Sequence, residues 1–257
     1  AHRRLAIGAA IAVTAIAASA ARAEVGPALS GITARANDAT SVFWNPAGLT
    51  RLDRPELVLQ TTFAYKVSKF DVDSSTFDGG NGDWDREILP IPSFYYAHPL
   101  GEDWRVGVSI NIPAGIGNDF GDSWAGRYLA EETELDFVAL SGVAAYRLSD
   151  RWSIGGGPLA IFTDSKTKAR VNNLEPGRND GSVKLEESGF GVGGMASLMY
   201  EFSDRTRIAA TYRSEIDPDL SGEPKFNGLD PLLEAIVDAG SLDQRNIDVD
   251  FQVPEQL

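Results

Sequence analysis

The sequence contains no cysteine among its 257 residues, which excludes a disulfide framework and a thiolate metal site. It has only two histidines, His2 and His98, so a zinc site built from several histidines is excluded as well, and we expect no metal and no cofactor. Basic residues are also scarce, because 23 Lys and Arg stand against 37 Asp and Glu, giving a net charge of −14. Since neutralising phosphates needs an excess of Lys and Arg, nucleic acid is not expected as a partner.

Motifs typical of enzymes are missing too. Residues 189–194, GFGVGG, match G-x-G-x-x-G, but they lie inside an alternating segment, whereas a nucleotide site needs a helix that opens on the glycines. The acidic residues from Asp71 to Glu87 lack the glycine and the final glutamate of an EF-hand loop, so a solvated loop is the better interpretation. No spacing supports carboxylate or Ser–Lys chemistry, and we predict that the protein is not an enzyme.

A long apolar run occurs only at the beginning of the sequence. His2-Arg3-Arg4 is followed by an uncharged stretch to Ala20 and by Ala21-Arg22-Ala23, which predicts a secretory signal peptide over residues 1–23. An uncleaved anchor is the alternative, although the run is short for a span of about 20 apolar residues. No second apolar run of that length follows, so residues 24–257 are expected to contact a membrane only with strands or with their surface.

Beyond residue 54 the sequence alternates with period two, as strands do when their two faces differ. The alternation is clear in 57–65, 105–112, 134–146 and 189–202 and weaker in 88–98, 151–163 and 205–215, which gives about seven strands. In a membrane barrel the apolar face of each strand contacts hydrocarbon. For residues 134–146 that face is predicted to carry Leu135, Phe137, Ala139 and Val143, opposite Glu134, Asp136 and Gly142.

Short and long connections alternate between these segments. The short polar turns are 98–104, 146–152 and 200–206, and the longer connections, rich in Gly and Asp, are 66–87, 113–133 and 164–186. Short turns at one end, long loops at the other and aromatic residues at the interfaces are typical of an antiparallel transmembrane β-barrel, which is the fold we predict. An exported soluble β-sandwich is the alternative, in which the alternation serves an internal core.

Residues 41–50, SVFWNPAGLT, carry the most informative motif. With the preceding stretch, GITARANDAT, they resemble the N-terminal plug of the OmpP1/FadL/TodX family, outer-membrane transporters for long-chain fatty acids and other hydrophobic compounds. Without the resemblance, Asn45-Pro46-Ala47-Gly48 would be interpreted as an ordinary turn before a first strand. Further segments resemble the family in the same order: 145–148 with 152–155, 189–201, 210–215 and 253–255.

The resemblance implies a hatch over residues 24–53 that holds Asn45, Pro46, Ala47 and Gly48, inside a barrel begun by residues 54–257. About seven to eight strands do not close such a barrel, so we expect residues 1–257 to be the N-terminal part of a longer protein or a truncated gene product. The implied function is passive, hatch-gated uptake of long-chain fatty acids or other hydrophobic compounds across the bacterial outer membrane. The implied protein contacts outer-membrane lipid and is a monomer when complete. A polar-solute porin and a soluble binding or adhesion protein are the alternatives.

Three places are expected to handle the ligand. Asn111, Pro113, Gly115 and Gly117 interrupt the strand that starts at Trp104, which predicts a kink and a lateral opening, the alternative being a strand that ends there. Lys166 and Arg170, with Lys168, are candidate contacts for a carboxylate headgroup or, alternatively, ordinary surface cations. Residues 226–240 predict an amphipathic helix with Pro231 in its first turn, which either forms a capture groove or packs over the barrel mouth. Its apolar positions are Leu229, Leu232, Leu233, Ile236 and Val237.

Overall fold

The described part of the chain comprises residues 32–83, 85–249 and 252–256 of a computed structural model. The chain divides into two units, Ala1–Ser30 and Gly31–Leu257, and every element below belongs to the second. The predicted signal peptide, residues 1–23, lies outside the described residues. Among the residues described, no helix has the length and apolar character needed to cross a bilayer.

In the described residues, three short helices precede the first strand. Helix α1 spans Ile32–Arg35, α2 spans Ser41–Trp44, and a 3₁₀ helix spans Pro46–Arg51. Asn45 separates the last two with an extended φ of −160°, and Pro46 begins the 3₁₀ helix, where its fixed φ suits the turn and its missing N–H leaves no bond unmade. Residues 32–53 are called the hatch segment below.

The rest of the chain consists mainly of long strands. The first six are β1 (Glu56–Ser68), β2 (Asp85–Leu100), β3 (Trp104–Asp119), β4 (Glu132–Arg147), β5 (Trp152–Val171) and β6 (Gly181–Ser203). Shorter strands follow: β7 (Thr206–Arg213), β8 (Leu220–Gly222), β9 (Pro224–Asn227) and β10 (Ile247–Val249). Helix α3 (Pro231–Gly240) and a 3₁₀ turn, Leu242–Gln244, lie between β9 and β10.

The described strands form one antiparallel sheet in which successive strands pair from β1 to β6. Strand β6 then holds three partners in succession, with β7 along its C-terminal part, β8 at Ser188 and β9 at residues 182–185. Together β7, β8 and β9 take the place of one interrupted strand. The sheet curls into a half-barrel, so the predicted all-β, antiparallel, partial barrel is confirmed.

The two ends of the sheet carry different connections. Residues 101–103, 148–151 and 204–205 make the short turns, and residues 69–83, 120–131 and 172–180 make the long loops at the other end. The alternation is as predicted, but the predicted bounds of the long connections, 66–87, 113–133 and 164–186, were too wide. Each strand continues several residues further, since a strand that leaves the bilayer has polar residues on both faces and its apolar alternation disappears.

The outer face of the sheet is apolar and exposed. On β6, Phe190, Val192 and Leu198 are 49%, 60% and 43% exposed. Near the short turns this face carries aromatic pairs, Trp104 with Tyr146 and Trp152 with Tyr200, whose ring centres lie 4.7 and 4.6 Å apart. An apolar band that ends in aromatic residues is typical of a barrel wall in lipid.

Strand β4 differs from the prediction. The residues assigned to its outer, lipid-facing side, Phe137, Ala139 and Val143, are buried on the inner face, and Leu135 packs against the same core. Leu140, on the opposite side, is 43% exposed. Both faces of β4 are therefore apolar, because its inner face packs against the hatch segment and its outer face is part of the apolar band.

The inner face of the half-barrel is filled by the hatch segment. Val42 and Leu49 are fully buried there, in one core with inward residues of β2, β4, β5 and β6. That core comprises Ala39, Val42, Phe43, Leu49, Leu52, Tyr95, Ala97, Phe137, Ala139, Val143, Ala145, Leu159, Ile161, Met195 and Ile216. The hydrophobic effect thus holds the short helices, which are too short to be stable in isolation, against the sheet.

Candidate functional site

The four residues Asn45, Pro46, Ala47 and Gly48 lie where the hatch segment approaches the wall most closely, and all four are buried. The wall strand at this point is β5, and its contact residue is Gly155. A Cβ added to Gly155 would lie 2.5 Å from Ala47 N and 2.5 Å from Pro46 C, both backbone atoms. Glycine is therefore needed at residue 155 for the motif to touch the sheet.

Hydrogen bonds fix the register of this contact. The Ala47 N–H donates to Ser197 Oγ at 2.7 Å, and the hydroxyls of Thr50 and Ser153 lie 2.8 Å apart. Arg51 forms an ion pair with Glu201 near the short-turn end. These bonds join the hatch segment to β5 and β6, so directional polar contacts as well as apolar packing define its position.

Arginines from the wall also bind backbone carbonyls of the hatch segment, among them Arg105, Arg147 and Arg213. Arg105 Nε donates to Leu52 O at 2.6 Å, and Arg213 Nη2 donates to Phe43 O at 2.5 Å. Arg147 donates to Thr50 O. Each of these carbonyls lies at or near the end of a short helix, where intrahelical partners are missing and a cation is favourable.

Beside the hatch segment, the wall has a gap between β2 and β3. Their pairing runs from Leu100 opposite Trp104 to Phe94 opposite Ile110 and goes no further. At the outer end β2 and β3 are joined again, because the Asp119 N–H donates to Asp85 Oδ2 at 3.0 Å. Lys66 of β1 bridges the same two strands, since its Nζ donates to Gly117 O at 3.0 Å and lies 2.7 Å from Asp85 Oδ2. The gap is thus bounded at both ends.

Prolines occupy both strands at this gap. Pro90 and Pro92 of β2 face the same edge, because they are two residues apart, and they remove two donors from it. On the other side, β3 contains a bulge between Asn111 and Ala114, so that Ile112 and Pro113 together oppose Val138 of β4. Strand β3 continues beyond the bulge, and Gly115 and Gly117 pair with Asp136 and Glu134 of β4.

The chain also leaves the sheet between β7 and β8. Residues 214–219 cross the inner face of β6, with Ile216 and Pro218 buried. A Cβ on Gly191 would lie 2.5 Å from Ile216 Cγ2, so the glycines of GFGVGG make room for this crossing. The alternating pattern of residues 189–202 carries no sign of the segment that covers these glycines.

The predicted amphipathic helix is α3, but it begins at Pro231 and not at residue 226, because residues 224–227 form β9 and Leu229 precedes the helix. The predicted apolar positions do not all face the same environment. Leu229 and Val237 are buried, Leu233 is half-buried, and Leu232 and Ile236 are 59% and 51% exposed. Asp230 caps the helix by accepting from the N–H groups of Leu232 and Leu233, both at 2.9 Å.

Asp230 also joins α3 to the loop that follows β5. Its carboxylate accepts from the Leu174 N–H at 2.5 Å, and its own N–H donates to Asn173 Oδ1 at 2.7 Å. These backbone donors, that of Leu233 above all, lower the pKa of Asp230 below its ordinary value. The polar loop 172–180 is therefore in direct contact with α3.

The candidate carboxylate contacts Lys166 and Arg170 lie on the outer face of β5, together with Lys168. Leu159 and Ile161 are buried inward, and the unbroken pairing of β5 with β6 places residues of the other parity outward. All three cations are engaged by acidic side chains. Lys166 lies 2.5 Å from Glu132, Lys168 lies 2.6 Å from Glu131, and Arg170 lies 2.7 Å from Glu131.

Sequence reasoning did not identify an aromatic cluster in the long loops after β1 and β3. Phe70 lies 5.0 Å from Trp124, Phe120 lies 4.9 Å from Trp124, and Phe77 lies 4.8 Å from Tyr128, measured between ring centres. Phe70 and Phe77 are about half exposed. Aromatic residues are unusual in an acidic, glycine-rich loop and could have indicated the cluster. The sequence spacing does not show which other loop these aromatic residues contact.

Comparison with known proteins identifies the family. The family described as "Outer membrane protein transport protein (OMPP1/FadL/TodX)" matches residues 4–255. The chain belongs to this OmpP1/FadL/TodX family.

Curated relatives within the OmpP1/FadL/TodX family are similar over much of the chain. A long-chain fatty acid transport protein of Salmonella typhi is 29% identical over 220 residues, which is 77% of this chain and 49% of the relative. A 47 kDa outer membrane protein of Pasteurella multocida is 30% identical over 214 residues, again 77% of this chain and 49% of the relative. The chain thus spans about half the length of these relatives.

Solved structures of the family share the fold. A FadL homologue of Pseudomonas aeruginosa superposes with a TM-score of 0.69 at 17% identity, over 85% of this chain and 59% of the other. The toluene transporter TodX of Pseudomonas putida superposes with a TM-score of 0.54 at 16% identity, over 84% of this chain and 59% of the other. At such identities the likeness supports the half-barrel architecture only.

Proposed function

We propose that the protein takes up long-chain fatty acids or other hydrophobic compounds across the bacterial outer membrane by passive, hatch-gated diffusion. The observation that carries the proposal is the bounded gap between β2 and β3 beside a hatch segment that fills the inner face. A ligand that meets the hatch segment in the lumen then has a sideways route through the wall.

The proposed route begins at the long loops. The aromatic cluster and the exposed Leu232 and Ile236 of α3 offer apolar surface to a ligand arriving from outside. Each CH₂ group that leaves water gains about 0.8 kcal/mol, so an acyl chain is held without any reaction. Movement of the hatch segment then weakens the inner site and releases the ligand through the gap.

A polar-solute porin fits less well. The inner face of the half-barrel is apolar where the hatch segment packs, and that segment fills it. A water-filled pore needs a polar lumen instead.

Neutral aromatic hydrocarbons are the second candidate ligands. Several cations of the outer half are engaged by acids, with Lys66 2.7 Å from Asp85 and Arg127 3.0 Å from Asp180 in addition to the pairs on β5. A carboxylate would have to displace one of those acids to bind there, whereas a neutral ring would not. The structural neighbours include a toluene transporter and a monoaromatic hydrocarbon channel.

The lateral route is tested by deleting Pro113 in the protein expressed from its full gene. The bulge has one extra residue, so the deletion restores continuous pairing of β3 with β4 while keeping the inward and outward faces in place. In a strain that lacks its own importer, the wild-type gene is expected to restore uptake of tritiated oleate, and the deletion to return uptake toward the empty-vector rate. Pro113→Ala, which keeps the extra residue, is the matched control and should behave as wild type.

Two results would count against the proposal. Equal uptake by the wild type and the deletion would reject the lateral gap as the route. Absence of rescue by a correctly inserted wild-type protein would reject fatty acids as the ligand, and tritiated toluene in the same strain would then test the second candidate.

A further inference from the structure

Lysine is concentrated on one part of the outer face of the wall. The sequence has six lysines, and four of them lie on the adjacent strands β5, β6 and β9: Lys166, Lys168, Lys184 and Lys225. Lys168 lies directly opposite Lys184, which lies directly opposite Lys225, and these three residues are called the lysine row below. Like charges directly opposite each other destabilise a sheet, so an anion placed over the row is favourable.

The lysine row faces away from the lumen. On β6, Lys184 has the same parity as Phe190 and Val192, which are exposed on the outer face. The unbroken pairing of β5 with β6, and the pairing of β9 with β6, place Lys168 and Lys225 on the same side. A molecule in the lumen therefore does not reach the row, whereas a membrane lipid does.

The acids of β4 lie on the far side of this outer surface. They are held by Lys166 of β5, which lies 2.5 Å from Glu132. Lys184 and Lys225 are two and three strands away from β4, about 10 and 14 Å at the usual strand spacing. The acid that both of them contact is Glu186, at 2.6 Å from Lys184 and 3.0 Å from Lys225. One carboxylate shared between two ammonium groups neutralises half of their charge.

The height of the row along the strands places it beyond the hydrocarbon. The apolar band begins near the short turns at the rings of Trp152 and Tyr200 and ends at those of Phe162 and Phe190, which are 4.8 Å apart. Residues 152 and 162 are ten apart on β5. At about 3.4 Å per residue and a tilt of about 40°, they span about 26 Å, close to the height of about 25 Å expected for such a band. Lys168 is six residues beyond Phe162 and lies about 16 Å further out. A phospholipid headgroup layer is only about 5–8 Å thick, so the row meets a taller headgroup.

We propose that the lysine row binds the phosphate groups of a glycolipid of the outer leaflet, whose headgroup is built of phosphorylated sugars. Because the family consists of outer-membrane proteins, the long-loop end of the wall lies next to that leaflet. Lysine binds phosphate as a point charge, and the three oxygens of one phosphate can contact two neighbouring lysines. The inference concerns the outside of the wall and does not rest on the proposed uptake.

The test measures binding of purified lipopolysaccharide to the full-length protein in detergent by native mass spectrometry. The same lipid, dephosphorylated with hydrogen fluoride, is the second probe. Lys184→Gln combined with Lys225→Gln is expected to weaken binding of the phosphorylated lipid about 10- to 30-fold, since each lysine near a lipid surface contributes about fivefold. Binding of the dephosphorylated lipid should not change. Lys69→Gln combined with Arg205→Gln is the matched control, because it removes two exposed positive charges outside the row, and it should bind both lipids as the wild type does.

A second measurement uses the wild type alone. Raising the salt concentration from about 0.05 M to about 0.5 M should weaken binding of the phosphorylated lipid and not of the dephosphorylated one, because salt screens exposed charges. Equal binding of the two lipids by the wild type, or equal weakening in the two double variants, would overturn the inference. Displacement of the glycolipid by an equal concentration of phosphatidylglycerol would overturn it as well, since the phosphate of that lipid lies close to the hydrocarbon.

Discussion

Replacing Gly155 with alanine tests whether the packed hatch segment keeps the lumen closed. The new Cβ would lie 2.5 Å from two backbone atoms of Pro46 and Ala47, whereas an unstrained contact needs about 3.5 Å. The hatch segment must therefore retreat by about 1 Å from β5. Neither backbone atom can rotate away, and the 2.7 Å bond from Ala47 N to Ser197 Oγ resists the movement.

The magnitude follows from the cost of overpacking, which is about 1–3 kcal/mol for one inserted methyl group. Because this cost destabilises the closed position of the hatch segment and not the displaced one, it raises the population of displaced hatch segments about 5- to 150-fold. The assay is the swelling rate of liposomes that contain the full-length protein, in an isotonic solution of a small sugar. The variant should admit the sugar faster than the wild type.

Gly142→Ala is the matched control for this experiment. It adds the same methyl group to the neighbouring strand β4, but nothing lies within 4 Å of its Cβ. Its swelling rate should equal that of the wild type. If Gly155→Ala also swells at the wild-type rate while it remains folded, or if both variants leak equally, the hatch segment does not close the lumen by this contact.

The remaining predictions concern the contact between α3 and the loop 172–180. Because the pKa of Asp230 is lowered in the folded protein, its contribution to stability is full above the unfolded pKa of about 3.9 and is lost as pH falls through the lower folded value. A nitroxide at Ala239→Cys should therefore stay immobile from pH 7 to pH 5 and become mobile only below about pH 4. Mobility that already rises between pH 7 and pH 5 would contradict the assignment. At pH 7, Asn173→Ala should mobilise the same label, since it removes the acceptor of the Asp230 N–H, and Asn179→Ala, which leaves a backbone carbonyl in place, should not.

The sequence predicts much of this architecture because the patterns that specify strands and turns lie within short stretches of the chain. Period-two alternation marks the strands of the apolar band, and polar turns such as 148–151 mark one end of the sheet. The outer halves of the strands were not predicted, because they extend beyond the apolar band and lack its alternation. In residues 164–170, charged residues alternate with the small residues Ser, Thr and Ala, and neither face is strongly apolar. The pattern around Lys166 and Arg170 therefore did not predict a strand.

The site depends on contacts that no local pattern contains. Pro113 marks the bulge in β3, but the gap also needs Pro90 and Pro92 on the facing edge of β2. Gly155 and Gly191 are informative only once the hatch segment and residues 214–219 are known to lie against them. Arg213 was visible in the sequence as part of a motif, but its hydrogen bond to Phe43 O depends on the fold around it.

The central claim is that one face of each long strand contacts hydrocarbon while the other faces the lumen and its hatch segment. The most direct measurement is the oxygen accessibility of single nitroxides along β6 in a lipid bilayer, where oxygen is concentrated in the acyl region. The account predicts high accessibility at Phe190, Val192 and Leu198 and low accessibility at Met195 and Ser197. Low accessibility at all five positions, as between two packed sheets, would contradict it.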